Sequence, residues 1–193
     1  ANQLGRQRVL SETYGGAGWE ATFKDMKRLA DWQMVLGVNL VNQHVGHMSM
    51  AGGRKFDYPP MFNQSAAWWN DYRALNDYIA RICAAMSLGE QRNDILVLEP
   101  TTSVWMYNQY YGTASLNRAM EIGQAFQDLV TELEHAQVEF DLGCENIFRT
   151  NGSVRDGKFV VGQRAYGTFV VAPQTENLER ETFDMLRGFV RTG

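Results

Sequence analysis

The stretch RVLSETYGGAG, residues 8–18, decides how the rest of the sequence is interpreted. Val9 and Leu10 predict a short buried strand, Glu12 stands at its carboxyl end, and a glycine-rich turn follows. A helical pattern begins at Trp19, so the order is strand, acid, flexible turn and helix. Ligands of α/β folds bind at the carboxyl ends of parallel strands, which makes Glu12 the first candidate for a functional side chain.

The same order of strand and helix recurs along the chain. Residues 38–41 (VNLV) predict a second strand, and His44 follows it closely. Residues 65–86 then carry an apolar stripe at helical spacing, with Ser65 as the expected N-cap. Residues 95–98 (ILVL) predict another buried strand. Because strands alternate with helices, the predicted fold class is α/β with parallel sheets.

The second half adds a hairpin to this pattern. Residues 104–114 (VWMYNQYYGTA) are expected to form a loop before a helix capped by Ser115, and residues 145–148 (ENIF) a short strand or turn. Arg155, Asp156 and Gly157 lie between two short apolar segments and predict the turn of a β-hairpin. Residues 169–172 (FVVA) predict a last buried strand.

Length and composition fit one large domain or two small ones. The chain has 193 residues, of which 45% are hydrophobic, enough to fill a core. The polar stretch EQRND at residues 90–94 is the predicted boundary. Residues 1–4 resemble the tail of a helix capped by Gly5, so we expect the chain to be part of a longer polypeptide.

Charge and cysteine content exclude several classes of partner. The formal net charge is −4 and no cluster of Lys and Arg occurs, which argues against nucleic acid and anionic membrane surfaces. No run approaches the roughly 18 apolar residues of a membrane span. Cys83 and Cys144 are too few and too far apart for a disulfide framework or a CxxC metal site, so the compartment stays open.

Glu12 predicts glycoside hydrolysis only together with a second acid. The reaction uses two carboxyl groups, one to protonate the leaving oxygen and one to attack or to activate water. No other acid in residues 1–92 is as well placed, so we expect the partner acid elsewhere in the polypeptide. The alternative is a structural ion pair or hydrogen bond at the end of the strand.

His44 and His47 follow the second strand and have the spacing HxxH. The glutamate of HExxH and a third ligand are missing, so no metal is predicted. Hydrogen bonding to sugar hydroxyls and a purely structural histidine are the two remaining interpretations. Gly15, Gly16 and Gly18 do not form GxGxxG, so no dinucleotide or other cofactor is predicted.

Further candidates surround these residues. Tyr14 could donate a hydrogen bond to Glu12 or pack beneath it. Arg54, with Asp57 and Tyr58, lies on a long irregular connection that either lines a sugar subsite or is solvated. The predicted substrate-binding residues are Tyr14, His44, His47, Arg54, Trp68 and Trp69.

Trp68 and Trp69 are neighbours in a helical pattern. About 100° separates adjacent residues on a helix, so the two rings cannot face one core. We expect one to pack inside and the other to be available for stacking on a pyranose ring.

Three segments carry a resemblance to a known family: SETYGGAGWEATFKDMKRLADWQMVLGVNLVNQH at residues 11–44, GGRKFDYPP at 52–60 and AAWWNDYRALNDYIARI at 66–82. They resemble glycoside hydrolases of the α-L-rhamnosidase and related β-galactosidase-like kind. The resemblance implies the last two βα units of a (β/α)8 barrel over residues 1–92. For residues 93–193 it implies the start of a flavodoxin-like, amidotransferase-like α/β domain.

The same resemblance implies functional roles. Glu12 would be the catalytic glutamate at the end of the seventh barrel strand, and His44 would contact the sugar at the end of the eighth. The partners implied are an oligosaccharide substrate and the remaining parts of the same polypeptide. The second domain would serve packing or contacts within a homo-oligomer.

Two other functions stay open. A non-catalytic carbohydrate-binding or assembly module would use the same aromatic residues without a reaction. An amidotransferase would need a thiolate at Cys144. That reading is the weaker one, because LGCEN lacks the glycine expected after the cysteine and His135, the one histidine in that half, falls on a predicted helix.

Overall fold

The computed structural model describes residues 1–44, 46–47, 49–56, 62–107 and 113–192, without the side chains of residues 54, 55 and 113–115. Contacts within the chain divide it into two units. Unit 1 comprises Ala1 and Arg6–Gln91, and unit 2 comprises Asn2–Gly5 and Arg92–Gly193. Each unit has its own buried cluster of apolar side chains.

Unit 1 consists of two strand-and-helix pairs. Strands β1 (Leu10–Thr13) and β2 (Leu40–Gln43) form a two-stranded parallel sheet. Helix α1 (Phe23–Val35) connects them, and a 3₁₀ helix at Gly52–Phe56 precedes helix α2 (Tyr72–Met86). The expected βα repeat is therefore present in this unit.

Asn39 holds the beginnings of the two strands together. Its Oδ1 accepts a hydrogen bond from the N–H of Val9 at 2.8 Å, and its Nδ2 donates to the carbonyl of Gln7 at 2.9 Å. The side chain is buried and both of its polar atoms are satisfied. A polar residue before β2 thereby sets where β1 begins.

Helix α1 begins at Phe23 because Thr22 caps it. Thr22 Oγ1 accepts a hydrogen bond from the N–H of Asp25 at 3.3 Å, and Asp25 Oδ2 accepts one from the N–H of Thr22 at 3.1 Å. This reciprocal pair is a capping box. The expected start at Trp19 is wrong, since residues 19–20 form a turn.

Helix α2 also starts later than expected. It begins at Tyr72 with Asp71 as N-cap, so the assignment of Ser65 as N-cap is wrong. The N–H of Ser65 donates to Asn63 Oδ1 at 2.8 Å, a local turn that competes with helix formation. Residues 64–71 consequently form a series of turns and one bend before the helix.

The core of unit 1 lies between α1 and α2. The two helices present buried residues at spacings of three and four, as expected for facing helical stripes. The cluster comprises Tyr14, Met26, Ala30, Met34, Tyr72, Leu75, Ile79 and Cys83.

One face of the sheet in unit 1 is exposed. The Cα partners Leu10 and Leu40 are 59% and 41% exposed, so the expectation that β1 is buried is wrong. Thr13, on the opposite face, is only 2% exposed. Because side chains alternate along a strand, the same register places Glu12 and Asn42 on the exposed face.

Unit 2 combines a parallel sheet with an antiparallel one. The parallel sheet has three strands in the order β4-β3-β8, and the antiparallel sheet has the order β5-β6-β7. In chain order the elements are β3 (Ile95–Leu98), α3 (Thr101–Tyr107), α4 (Thr113–His135), β4 (Asp141–Gly143), α5 (Glu145–Asn151), β5 (Gly152–Arg155), β6 (Lys158–Val161), β7 (Arg164–Tyr166), β8 (Thr168–Val171) and α6 (Arg180–Thr192).

The predicted hairpin is confirmed. Arg155 pairs with Lys158, and the two residues between them, Asp156 and Gly157, have φ of 52° and 69°. Positive φ at both positions is typical of a type I′ turn, which matches the twist of the strands it joins. This antiparallel pairing stands beside the parallel sheets expected elsewhere, because a two-residue connection can join only antiparallel strands.

Two segments expected to be irregular or extended are helical. Helix α3 occupies part of the predicted loop at residues 104–114, of which residues 108–112 lie outside the described residues. The segment predicted as strand or turn is helix α5, in which Glu145 and Phe148 are buried at a spacing of three. Helix α4 begins at Thr113, which corrects the expected cap at Ser115.

The core of unit 2 lies between the two sheets and the helices that follow them. Phe148 contacts Phe159 edge-on with ring centroids 5.2 Å apart, and Phe159 packs at 4.7 Å from Phe169. The fully buried members of this cluster are Leu96, Leu98, Phe148, Phe159, Val161 and Tyr166. Both cysteines are free thiols, Cys83 buried in unit 1 and Cys144 half-buried in unit 2.

The tetrapeptide Asn2–Gly5 packs within unit 2. Gly5 has φ of 63°, its N–H donates to the carbonyl of Asn2, and the N–H of Arg6 donates to the carbonyl of Ala1. These bonds are those of a Schellman C-cap, as the sequence predicts. Gln3 is buried and donates from Nε2 to the carbonyl of Leu142 at 3.0 Å.

Candidate functional site

Glu12 and His44 meet at the carboxyl ends of β1 and β2. Glu12 lies opposite Asn42, and the N–H of His44 extends the strand pairing by donating to the carbonyl of Thr13 at 2.8 Å. His44 Nδ1 is in direct contact with Glu12 Oε1. The side chain of Glu12 is 58% exposed and that of His44 is 27% exposed. The structure thus brings a carboxylate and an imidazole together on the face of the sheet that the helices leave uncovered.

Gly15 forms the surface beneath the histidine ring. A Cβ added at Gly15 would lie 3.2 Å from His44 Cγ and 3.3 Å from Cδ2, closer than ordinary van der Waals contact. A Cβ added at the neighbouring Gly16 would meet nothing within 4 Å. The two adjacent glycines therefore differ sharply in their surroundings.

Tyr14 follows β1 directly, and its side chain turns into the core of unit 1. Its ring is buried, and its hydroxyl donates to the carbonyl of Met26 at 3.0 Å. Burial, together with the neighbouring Asp31 and Cys83, raises the pKa of Tyr14 to about 12. Of the two roles expected for Tyr14, this geometry matches packing.

For His47 and Arg54 the structure describes backbone features. The carbonyl of His47 accepts a hydrogen bond from Asn63 Nδ2 at 2.6 Å. The backbone of Arg54 belongs to the 3₁₀ helix, and its side chain lies outside the described atoms. Asp57 and Tyr58 also lie outside the described residues.

The two adjacent tryptophans differ in exposure. Trp68 is half-buried and packs edge-on against Phe23 and Phe62, each at 5.6 Å between ring centroids. Trp69 is 38% exposed and is stacked on Tyr72, with centroids 5.8 Å apart and ring planes 19° apart. A ring held flat by a second ring presents its outer face in a fixed orientation.

Asn42 and Gly15 are members of the site that the sequence did not single out. Asn42 is exposed and shares the face of the sheet with Glu12. Leu40, Asn42 and His44 alternate along β2 and the residue that follows it, and therefore lie on one face of the sheet. This alternation is the sequence pattern that could have indicated Asn42. For Gly15 no local pattern exists, because the contact depends on the fold.

Unit 2 contains a separate open groove at the carboxyl end of β8. It has a volume of about 420 Å³ and is lined by Val171, Thr175, Glu176, Asn177, Leu178, Arg180 and Phe183. Ser103 fixes the backbone of this segment by accepting hydrogen bonds from the N–H groups of Glu176 and Asn177, both at 2.9 Å. None of the predicted site residues lines this groove.

The described part of the chain offers neither a metal cluster nor a membrane-spanning helix. It contains no group of three or more His, Cys, Asp or Glu side chains arranged to hold a metal ion. None of its helices combines the length and apolar character needed to cross a membrane.

Comparison with known proteins gives a structural neighbour and no sequence relative. No family model and no curated protein matches the chain. A solved rhamnosidase from Novosphingobium sp. PP1Y is similar over 95% of this chain, with a TM-score of 0.65 and 18% identity. The match spans only 17% of that protein's chain. At this identity the likeness shows a shared mixed α/β fold.

Proposed function

We propose that this chain forms part of a glycoside hydrolase in which Glu12 is a catalytic carboxylate. The observation that carries the proposal is the Glu12–His44 contact at the carboxyl ends of two parallel strands, on the face away from the helices. Active sites of (β/α)8 barrels lie at that end of the strands. The structural neighbour, a rhamnosidase, supports the same class of reaction.

The exposed face of the sheet supports the assignment of residues 1–92 to a barrel. Leu10 and Leu40 are exposed there, although parallel sheets are normally covered on both faces. In a (β/α)8 barrel this face is the interior, filled by layers of branched side chains from alternate strands. Glu12 and Asn42 then stand one layer closer to the active site than the two leucines.

Glu12 would act as nucleophile or as general base. The second carboxylate, which protonates the leaving oxygen, would come from another strand of the same polypeptide. Carboxyl groups about 5–5.5 Å apart give retention and those about 6.5–9.5 Å apart give inversion. The oligosaccharide would be bound by His44, His47 and Arg54 and would stack on Trp69, with Tyr14 and Trp68 supporting the site from below.

For residues 93–193 we propose an amidotransferase-like α/β domain that has lost its chemistry. The parallel order β4-β3-β8 is compatible with the first strands of a doubly wound sheet. Its role would be packing against the rest of the polypeptide or contacts between copies of it.

The test is the substitution Glu12→Gln in the longest natural polypeptide that contains these residues. With an aryl α-L-rhamnoside as substrate, turnover should fall by several orders of magnitude while the fold is retained, because the amide can neither attack nor accept a proton. Glu20→Gln removes the same charge from an exposed position in the following loop and serves as the matched control. Unchanged turnover in Glu12→Gln would reject the assignment.

A non-catalytic carbohydrate-binding module is the second candidate, and the exposed, stacked ring of Trp69 favours it. Binding without hydrolysis should be detectable by calorimetry with rhamnose-containing oligosaccharides. Trp69→Ala should abolish it, whereas Trp32→Ala, which removes an exposed ring from α1, should not. Hydrolysis of the oligosaccharide that depends on Glu12 would decide in favour of the enzyme.

A further inference from the structure

We propose that Gly15 is a positioning residue: the absence of a side chain at this position lets His44, protonated on Nδ1, hold the carboxylate of Glu12 in one orientation. This inference rests on the proposed function of Glu12. It assigns further roles to Gly15 and His44. In this role His44 donates a hydrogen bond to the carboxylate, in addition to the sugar contact proposed above.

Contacts with β1 and with the turn after it hold His44 in position. Its backbone N–H donates to the carbonyl of Thr13 at 2.8 Å, its Nδ1 meets Glu12 Oε1, and its ring lies against Gly15. The first contact ties the histidine backbone to the end of β1. The ring lies against the backbone of the turn after β1 while its Nδ1 contacts the carboxylate.

The requirement at position 15 is for space and not for an unusual backbone. Gly15 is absent from the glycines with positive φ, so an L-residue could adopt its conformation. A Cβ there would come within 3.2 Å, 3.3 Å and 3.4 Å of three atoms of His44. The imidazole would have to move by a few tenths of an ångström, away from the geometry that reaches Glu12.

The protonation of the ring follows from the partner. An ionised carboxylate only accepts hydrogen bonds, so Nδ1 must carry the hydrogen. The hydrogen bond at one ring nitrogen sets the tautomer, and in the neutral ring Nε2 is then unprotonated. With Oε1 engaged by His44, Oε2 is the oxygen of Glu12 left to react. This is the arrangement of a catalytic group oriented by a second residue.

The test compares Gly15→Ala with Gly16→Ala in the 193-residue chain. Each variant adds one methyl group to the same turn and removes similar freedom from the unfolded chain, but only the first methyl group meets His44. The readout is the ¹⁵N chemical shift of the two ring nitrogens of His44. We expect a pyrrole-type Nδ1 in the wild type and in Gly16→Ala, and a mixture of tautomers in Gly15→Ala.

A kinetic arm uses the longer polypeptide. Gly15→Ala should lower kcat about tenfold or more with KM nearly unchanged, because a small displacement of a catalytic group affects the chemical step. Gly16→Ala should leave both parameters unchanged. If Gly15→Ala does not fold, His44→Gln takes its place and should lower kcat in the same way.

The outcomes separate this inference from the proposed function. A wild-type tautomer and wild-type kcat in Gly15→Ala, or equal effects of the two glycine variants, would overturn the positioning role while leaving Glu12 catalytic. Intact turnover in Glu12→Gln would remove the proposed function and the positioning role with it. A loss of the tautomer preference confined to Gly15→Ala, together with its lower kcat, supports the proposal.

Discussion

Tyr14 determines the course of the chain directly after Glu12. It has φ of 75°, a left-handed conformation that a residue with a bulky side chain rarely adopts. The burial of its ring and the hydrogen bond from its hydroxyl to the carbonyl of Met26 hold it there. The chain direction after Glu12 is therefore fixed by a buried side chain and not only by the glycines that follow.

Tyr14→Phe should lower the free energy of unfolding by about 1 kcal/mol. The ring is kept, but the hydrogen bond is lost and the carbonyl of Met26 loses a donor. Urea unfolding followed by tryptophan fluorescence measures the change. An unchanged midpoint of urea unfolding would show that the hydrogen bond from the Tyr14 hydroxyl does not contribute to stability.

The same variant tests the titration of Tyr14. Its pKa is raised from 10.0 to about 12 in the folded chain, so the neutral form is favoured by folding. The resulting stabilisation is complete below pH 10 and is lost as the pH rises from 10 to 12. The difference in stability between wild type and Tyr14→Phe should therefore shrink over that range. Comparing the two proteins cancels the contribution of Tyr166, whose pKa is also raised by burial. The contribution of Tyr72 cancels only in part, because burial and then the neighbouring Tyr14 raise its pKa.

At the scale of the element, the start of helix α1 is set by its N-terminal cap and not by the apolar periodicity of the sequence. The apolar pattern predicts a helix from Trp19, before the true start at Phe23. The sequence TFKD at residues 22–25 is a capping box and marks that start. The cap could have been predicted from the sequence, because it involves only residues three apart.

Thr22→Ala should destabilise the chain by about 1 kcal/mol, the usual cost of losing such a cap. Thr22→Ser keeps the hydroxyl and should stay close to the wild type. Thermal unfolding by circular dichroism compares the three proteins. Equal melting temperatures for the alanine and serine variants would contradict the role of the hydroxyl.

Asp25 adds a pH dependence to the same cap. The hydroxyl and backbone N–H of Thr22 lower the pKa of its carboxyl below 3.8. A lowered pKa stabilises the folded chain above the unfolded value, and this stabilisation is lost as the pH falls through the folded value. The advantage of wild type over Thr22→Ala should accordingly decrease in acid.

Turn residues predicted the structure more accurately than short apolar segments did, and contacts between distant residues could not be predicted. The hairpin was found because Asp156 and Gly157 are turn residues by themselves. Helix α5 was mistaken for a strand or turn, because a segment as short as ENIF does not distinguish a helical spacing from an alternating one. The candidate Glu12 came from its place after a strand, while the ring contact of Gly15 with His44 joins residues that only the folded chain brings together.

At the scale of the molecule, the chain divides into two units that are not simple sequence halves. The tetrapeptide Asn2–Gly5 belongs to unit 2, although Arg6 and the residues after it belong to unit 1. Local patterns cannot reveal such a pairing, since Asn2 and its partner Asp141 are far apart in the sequence. The order β4-β3-β8 also depends on pairings between residues far apart in the sequence, such as Ile95 with Thr168, and was likewise beyond prediction.

Gln3→Ala should destabilise unit 2 selectively. The variant removes a buried donor to the carbonyl of Leu142, and a loss of about 1 kcal/mol is expected. Hydrogen exchange followed by mass spectrometry should show faster exchange in peptides around residues 141–143 and 163–166, with peptides of α1 and α2 unchanged. Gln7→Ala, at an exposed position in unit 1, is the control. Uniformly faster exchange in both units would contradict the division.

The distribution of the two free thiols gives each unit its own internal label. Cys83 is enclosed by the helices of unit 1, and Cys144 is half-buried at the start of α5 in unit 2. A pulse of alkylating reagent followed by peptide mapping can then record the opening of unit 1, because modification of Cys83 requires its helices to separate. The half-buried Cys144 serves as the more accessible reference thiol in the same measurement. No cysteine has to be introduced or removed for such a measurement.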